Sequence, residues 1–239
     1  MIEPLEVTAG KLLLERGLRL ATAESCTGGL IGHLLTNVPG SSAYYLGSII
    51  AYSNEMKVSL LNVSLETVDH FGAVSGEVAQ EMALGVRKAM GADIGLSVTG
   101  IAGPGGATPE KPVGTTWIGL STANVDQVRH YLWRGDRLKN KEQSARAALQ
   151  QLVDCLNQTP KMQEVEVTAR FGCEGDVVPV RMIWNGQPYE IGSTGRRWVD
   201  ERGQHILVML DDGRVLELLF DRDKGCWYIL RKTNGRLFV

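Results

Sequence analysis

A serine, a lysine and a tyrosine can together attack a carbonyl carbon: the hydroxyl is the nucleophile, the amine takes its proton, and the phenol relays or orients. Ser25, Lys57 and Tyr52 are such a set. Ser25 lies within Glu24-Ser25-Cys26-Thr27-Gly28-Gly29. An apolar run from Leu18 to Ala23 precedes it and predicts a short buried strand, while Leu30, Ile31, Leu34 and Leu35 follow at helical spacing. Strand, sharp turn and helix in that order put a small nucleophile at a strand end. They also aim the free N–H groups of the next helix at the same point. Thr27, Gly28 and Gly29 leave that backbone accessible, so the turn can cradle a phosphate or hold an oxyanion beside Ser25. A plain helix cap at Ser25 fits these six residues equally well. The pattern lacks the last glycine of G-x-S-x-G and the lysine of a phosphate-binding loop.

Ser48 to Tyr52 predicts a second strand, and Asn54 an N-cap, so that Lys57 falls in the first turn of a helix. A partly desolvated lysine near the positive helix end has a depressed pKa and can act as a general base. A solvated lysine and an interfacial tyrosine are the competing reading, which Lys57 alone would favour. A third strand, near residues 94–99, ends at Thr99 and runs into a loop containing Gly100, Ala102, Gly103 and Lys111. A Gly- and Pro-rich loop of this length is usually functional. Its glycines allow close approach of a ligand, and Lys111 offers charge to an anion. His, Cys and Asp do not cluster here at metal-ligand spacing, so neither a metal nor a cofactor is expected.

The run Thr22-Ala23-Glu24-Ser25-Cys26-Thr27-Gly28-Gly29 resembles the signature of the CinA C-terminal family. Tyr52-Ser53-Asn54-Glu55-Met56-Lys57, Gly72-Ala73-Val74-Ser75, Ser97 to Pro104 and Lys111-Pro112-Val113-Gly114 resemble its further motifs, in order, across about residues 5–158. The resemblance implies an α/β/α sandwich acting as a nicotinamide-mononucleotide deamidase, with Ser25 as nucleophile and Lys57 and Tyr52 as partners. The substrate-binding candidates are then Thr27, Gly28, Gly29, Thr99, Gly100, Ala102, Gly103, Lys111, Arg137 and Lys141. For the substrate phosphate the order of preference is Arg137, Lys111, Lys141. Two departures stand out. Gly105-Gly106-Ala107 shifts one glycine of the long loop, and Lys141 stands where the family usually has arginine, which keeps the charge but loses the bidentate fork. Many members also carry an N-terminal nucleotide-pyrophosphatase-like domain, which this chain is expected to lack.

These residues need a scaffold. Helices are predicted near 3–16, after Thr27, after Asn54, near 75–90 and near 138–157, and strands near 94–99, 114–122 and 127–134. Helices interleaved with strands, then two adjacent strands, predict a mixed sheet covered on both faces. After Thr159-Pro160 the pattern changes to strands: Val165 to Ala169, Pro179 to Trp184, Ile206 to Leu210, Val215 to Leu219 and Trp227 to Leu230. Asn185-Gly186, Asp211-Asp212-Gly213 and Asn234-Gly235 supply turns. The expected organisation is a deamidase domain over 1–158, a linker over 159–164, and a small all-β, barrel-like domain over 165–239. That last domain should be dispensable for chemistry.

Bulk properties fit an enzyme of the cytoplasm. No apolar run reaches the ~18 residues of a membrane span, and no secretory leader pattern opens the chain. Cys26, Cys155, Cys173 and Cys226 are scattered without C-x-x-C and suit reduced thiols. Acidic and basic residues nearly balance, 27 against 25, which argues against nucleic acid as a partner. Arg196-Arg197-Trp198 reads as a solvated turn with a core tryptophan. The expected partner is a small-molecule nucleotide substrate, with no nucleic acid and no membrane, in a homo-oligomer, a dimer first. The runner-up reading is a non-catalytic nucleotide-binding module that recruits a partner through the β domain.

Overall fold

The computed structural model describes residues 3–158, 161–172, 176–200 and 203–231. The chain divides into two compact units, Met1–Asn157 and Gln158–Val239.

The first unit runs α1 (Leu5–Arg16), β1 (Leu20–Glu24), α2 (Leu30–Thr36), β2 (Tyr45–Ile50), α3 (Asn54–Leu61), α4 (Leu65–Phe71), α5 (Gly76–Ala89), β3 (Ile94–Gly100), β4 (Thr115–Ser121), β5 (Asp126–Leu132) and α6 (Arg137–Gln158). Its sheet has the order β2-β1-β3-β4-β5. The pairs β2–β1 and β1–β3 are parallel, whereas β3–β4 and β4–β5 are antiparallel. This is the expected mixed sheet in a three-layer α/β/α sandwich. Leu20 of β1, Ile94, Leu96 and Val98 of β3, and Ile118 and Leu120 of β4 pack with apolar residues of α1, α2 and α6. The alternate positions Ala21 and Ala23 join residues of α3, α4 and α5 on the other face. Side chains on that second face are small because α5 lies close. A Cβ on Gly119 would fall 2.3 Å from the Ala79 carbonyl oxygen.

Local capping differs from expectation at one point. Ser53, not Asn54, is the N-cap of α3, its hydroxyl accepting the Met56 N–H at 3.4 Å. Lys57 therefore closes the first turn. Helix α4 was not anticipated: it is seven residues long and buries only Val68, too little to leave a periodic signal.

The second unit is a closed barrel, β10-β11-β6-β7-β8-β9, built from β6 (Lys161–Phe171), β7 (Val177–Trp184), β8 (Gln187–Asp200), β9 (Gly203–Leu210), β10 (Val215–Asp221) and β11 (Cys226–Arg231). Val165, Met182, Ile206, Val208, Leu218, Trp227 and Ile229 are among the residues filling it. Residues 161–164, expected as linker, already belong to β6. The expected turn at Asn234-Gly235 and the break at Thr159-Pro160 lie outside the described residues. The 14-residue β8 escapes the sequence pattern because most of its side chains are exposed and its register with β9 shifts twice, between Ile191 and Ser193 and between Thr194 and Arg197. Arg196 and Trp198 are thus strand rather than turn residues, with the guanidinium 5.5 Å from the indole centroid. Trp198 stacks on His205 at 5.0 Å. His205 is buried; its Nδ1 lies 2.8 Å from Glu217 Oε1, and its Nε2 lies 3.0 Å from Asp200 Oδ1, off the hydrogen-bond direction.

Candidate active site

In an open sheet of order 2-1-3, successive connections leave β1 in opposite directions, and a crevice opens at the carboxyl ends of β1 and β3. Ser25 follows β1 there, Thr99 and Gly100 end β3, and Tyr52 follows β2. A cavity of about 250 Å³ gathers Ser25, Cys26, Tyr52, Asn54, Lys57, Thr99, Gly100, Ala102, Gly103 and Arg137 among its lining. It is small beside typical ligand sites of ~300–1,000 Å³ but lined by convergent polar groups.

Ser25 and Lys57 are both buried, 7% and 2% exposed, so the amine meets the serine's cavity largely out of water. Burial lowers the Lys57 pKa from 10.5, against smaller raising effects of Cys26 and Glu55. Cys26 responds in the opposite sense: burial pushes its thiol up to about 12. Next to Ser25, it is therefore an inert thiol rather than a competing nucleophile. Thr99 is held by its hydroxyl, which donates to the Ala73 carbonyl at 2.8 Å. Gly100 brings β3 against Cys26, where a Cβ would fall 3.1 Å from Sγ.

The turn after Ser25 is built differently from expectation. The Ser25 N–H donates to Val98 O at 3.0 Å, and the Gly28 N–H donates to Ser25 O at 3.1 Å. Gly28 and Gly29 have φ of 62° and 95°, the left-handed region that favours glycine. The donors of Gly29, Ile31 and Gly32 are not aimed at a substrate: all three meet the Glu24 carboxylate, at 2.9, 3.1 and 2.9 Å. Among the described residues no backbone carbonyl accepts from the N–H of Cys26 or Thr27, and the Cys26 N–H interacts with its own thiol. Thr27, Gly28 and Gly29 are absent from the cavity lining, and Thr27 is fully buried.

The three basic candidates part company. Arg137 lines the cavity and donates to Gly103 O at 2.7 Å and to the Tyr52 hydroxyl at 2.9 Å. Tyr52 is 60% exposed. Lys111 instead donates through Nζ to the Phe71 carbonyl at 2.5 Å, at the end of α4, which anchors the long loop and takes the ammonium from the cavity. Lys141 lies beside the Ser25 turn; a Cβ on Gly28 would be 3.7 Å from its Nζ. Asn54, Ala73 and Val74 also line the cavity and were not anticipated. Asn54 reads as a cap, and Ala73 and Val74 belong to the Gly72-Ala73-Val74-Ser75 motif but gain a place at the site only where the segment before α5 meets the end of β3. Among the described residues no cluster of His, Cys, Asp and Glu could hold a metal ion, and no helix is long and apolar enough to cross a membrane.

Comparison with known proteins places this architecture. A sequence model of the CinA C-terminal domain matches residues 2–156. A putative competence-damage inducible protein of Moorella thermoacetica is 52% identical over 147 residues, covering 62% of this chain and 36% of the relative. A CinA-like protein of Chloroherpeton thalassium is 51% identical over 158 residues, covering 64% and 38%. The chain thus spans little more than a third of these curated relatives. The crystal structure of a CinA superfamily protein from Klebsiella pneumoniae aligns with a TM-score of 0.62 at 34% identity, covering 64% of this chain and 95% of that one. The structure of the competence/damage inducible protein CihA from Agrobacterium tumefaciens aligns at 0.59 and 38% identity, covering 66% and 100%.

Proposed function

The chain belongs to the CinA C-terminal domain family, and from that premise we propose that it is an amidohydrolase that converts nicotinamide mononucleotide to nicotinate mononucleotide and ammonia. The observation that carries this reading is the pair of Ser25 and Lys57, both buried in one cavity, with the lysine's charge disfavoured by burial. A pocket that only bound nucleotide would have no use for a desolvated amine beside a serine.

In this reading neutral Lys57 takes the Ser25 proton as Oγ bonds to the carboxamide carbon. The carbonyl π electrons move to oxygen, and the N–H of Cys26, the residue after Ser25 in the cavity lining, faces the oxyanion. The C–N bond then breaks as Lys57 returns the proton to nitrogen, and ammonia leaves. Water, deprotonated by Lys57, cleaves the ester and regenerates Ser25. Arg137 takes the phosphate and keeps Tyr52 in place. Lys141 adds positive charge near the turn. Lys111 serves the loop instead.

Incubating the full chain with nicotinamide mononucleotide and measuring ammonia and nicotinate mononucleotide tests the proposal. Both products should accumulate in equal amounts. Tight binding without either product would favour the non-catalytic nucleotide-binding module instead.

A further inference from the structure

Glu24 precedes Ser25 directly and is fully buried. Its Oε2 accepts the N–H of Gly29 and Ile31, and its Oε1 accepts the N–H of Gly32; Ser48 donates its hydroxyl to Oε1 at 3.4 Å. Those backbone groups belong to the donors that a helix start leaves without intrahelical partners. The side chain at the end of β1 thereby closes a ring over residues 24–29 that contains the whole Ser25 turn. Gly32 leaves room for the Tyr45 hydroxyl beside this carboxylate. A Cβ there would lie 2.8 Å from the Tyr45 hydroxyl and 3.6 Å from Glu24 Oε1.

We propose that Glu24 is the positioning residue for Ser25: its carboxylate fixes the turn so that the hydroxyl enters the cavity, and it removes the α2 donors from contact with substrate. The inference rests on Ser25 being the nucleophile, as proposed above. A carboxylate suits the task because it only accepts, through two oxygens, and three N–H groups converge on it. Glutamine has nearly the same shape but turns its own NH₂ toward those donors. Three first-turn donors of α2 share this one acceptor, so a change in its charge shifts the turn that carries Ser25.

The test compares the full-length wild type, Glu24→Gln and Ser25→Ala. The readouts are the rate of labelling by an alkyl fluorophosphonate, a serine-directed probe, and kcat and KM for nicotinamide mononucleotide. Circular dichroism checks the fold. Wild type should label at Ser25, and Ser25→Ala should not. Folded Glu24→Gln should label ~10-fold more slowly or worse and lose kcat by a similar factor, with KM within ~2-fold, as expected when geometry rather than binding is lost. A purely structural role would lower the unfolding midpoint and leave labelling and kcat of the folded protein unchanged; that result overturns the proposal. If Glu24→Gln does not fold, Glu24→Asp decides. It keeps the charge but, one methylene shorter, draws the carboxylate back from the three N–H groups, and should slow labelling at unchanged KM; wild-type labelling would overturn the proposal. A wild type that neither labels nor releases ammonia overturns the nucleophile assignment, and this inference with it. A wild type that labels together with a Glu24→Gln that labels equally overturns this inference alone.

Discussion

The Tyr52 hydroxyl accepts a hydrogen bond from Arg137 Nη2 at 2.9 Å, while Nη1 of the same guanidinium donates to the Gly103 carbonyl at 2.7 Å. One planar side chain from the start of α6 thus ties the segment after β2 to the long loop after β3. A lysine cannot make both bonds in that geometry.

Arg137→Lys should therefore loosen the phosphate end of the site more than the reacting end. The measurement is kcat/KM for nicotinamide mononucleotide and for nicotinamide riboside, which lacks the phosphate. The preference for the mononucleotide should narrow by ~10-fold, worth about 1.4 kcal/mol. Equal losses on both substrates would show that Arg137 does not handle the phosphate.

Lys57 should declare itself in two pH profiles. As a base it must be neutral, so kcat/KM should rise with pH along a limb whose apparent pKa lies below the ordinary 10.5. Lys57→Met should lose at least ~10²-fold in kcat. Stability moves with the same sign. Between the lowered folded pKa and 10.5 the unfolded chain binds the extra proton, so wild-type stability climbs with pH through that window. Lys57→Met lacks the titration, so its stability relative to wild type should be greatest below the window and decline across it. A stability difference independent of pH would contradict a desolvated Lys57.

His205 predicts the reverse trend for the barrel. Burial opposes its charge, but contacts with Glu217 and Asp200 outweigh that and raise its pKa above 6.5. A neutral ring has one N–H and would face a carboxylate with a lone pair. The stabilisation is fully present below pH 6.5 and is lost as pH rises through the folded pKa. Urea unfolding of a Trp117→Phe/Trp133→Phe variant, whose remaining tryptophans all lie in the second unit, should show an emission midpoint that falls as solution becomes alkaline. Glu217→Gln should flatten that dependence. With Glu217 intact, a midpoint that rises with pH over the same range would contradict the charged histidine.

A chain ending at Gln158 should fold and keep deamidase activity within ~3-fold of the full chain. The solved Klebsiella and Agrobacterium proteins, of which this chain covers 95% and 100%, consist essentially of the first unit. Circular dichroism and ammonia release from nicotinamide mononucleotide check it. A folded but inactive product would assign part of the chemistry to the barrel.

Much of the site was legible because strand ends and glycine turns leave strong local signals. Ser25, Tyr52, Lys57, Thr99, Gly100, Ala102, Gly103 and Arg137 all reach one cavity. The differences arose where a side-chain partner that no periodicity marks decides the role. Lys111 reads as a free cation until its ammonium meets the Phe71 carbonyl, 40 residues away. The helix donors after Gly28 read as a ready anion site until the Glu24 carboxylate fills it. The sandwich was legible through its amphipathic helices, and the barrel through its turns. Strand β8 was not, since exposed side chains and two register shifts erase the alternation that marks a strand.

A nucleophilic Ser25 must pass through a covalent acyl intermediate, which rapid-quench mass spectrometry detects. Wild-type protein is mixed with nicotinamide mononucleotide, stopped in acid within the first turnover, and digested. The peptide containing Ser25 should carry the substrate acyl group, formed with loss of ammonia, and Ser25→Ala should show neither adduct nor ammonia. Ammonia released by Ser25→Ala at near wild-type rate, with no adduct on the wild-type peptide, would contradict the account.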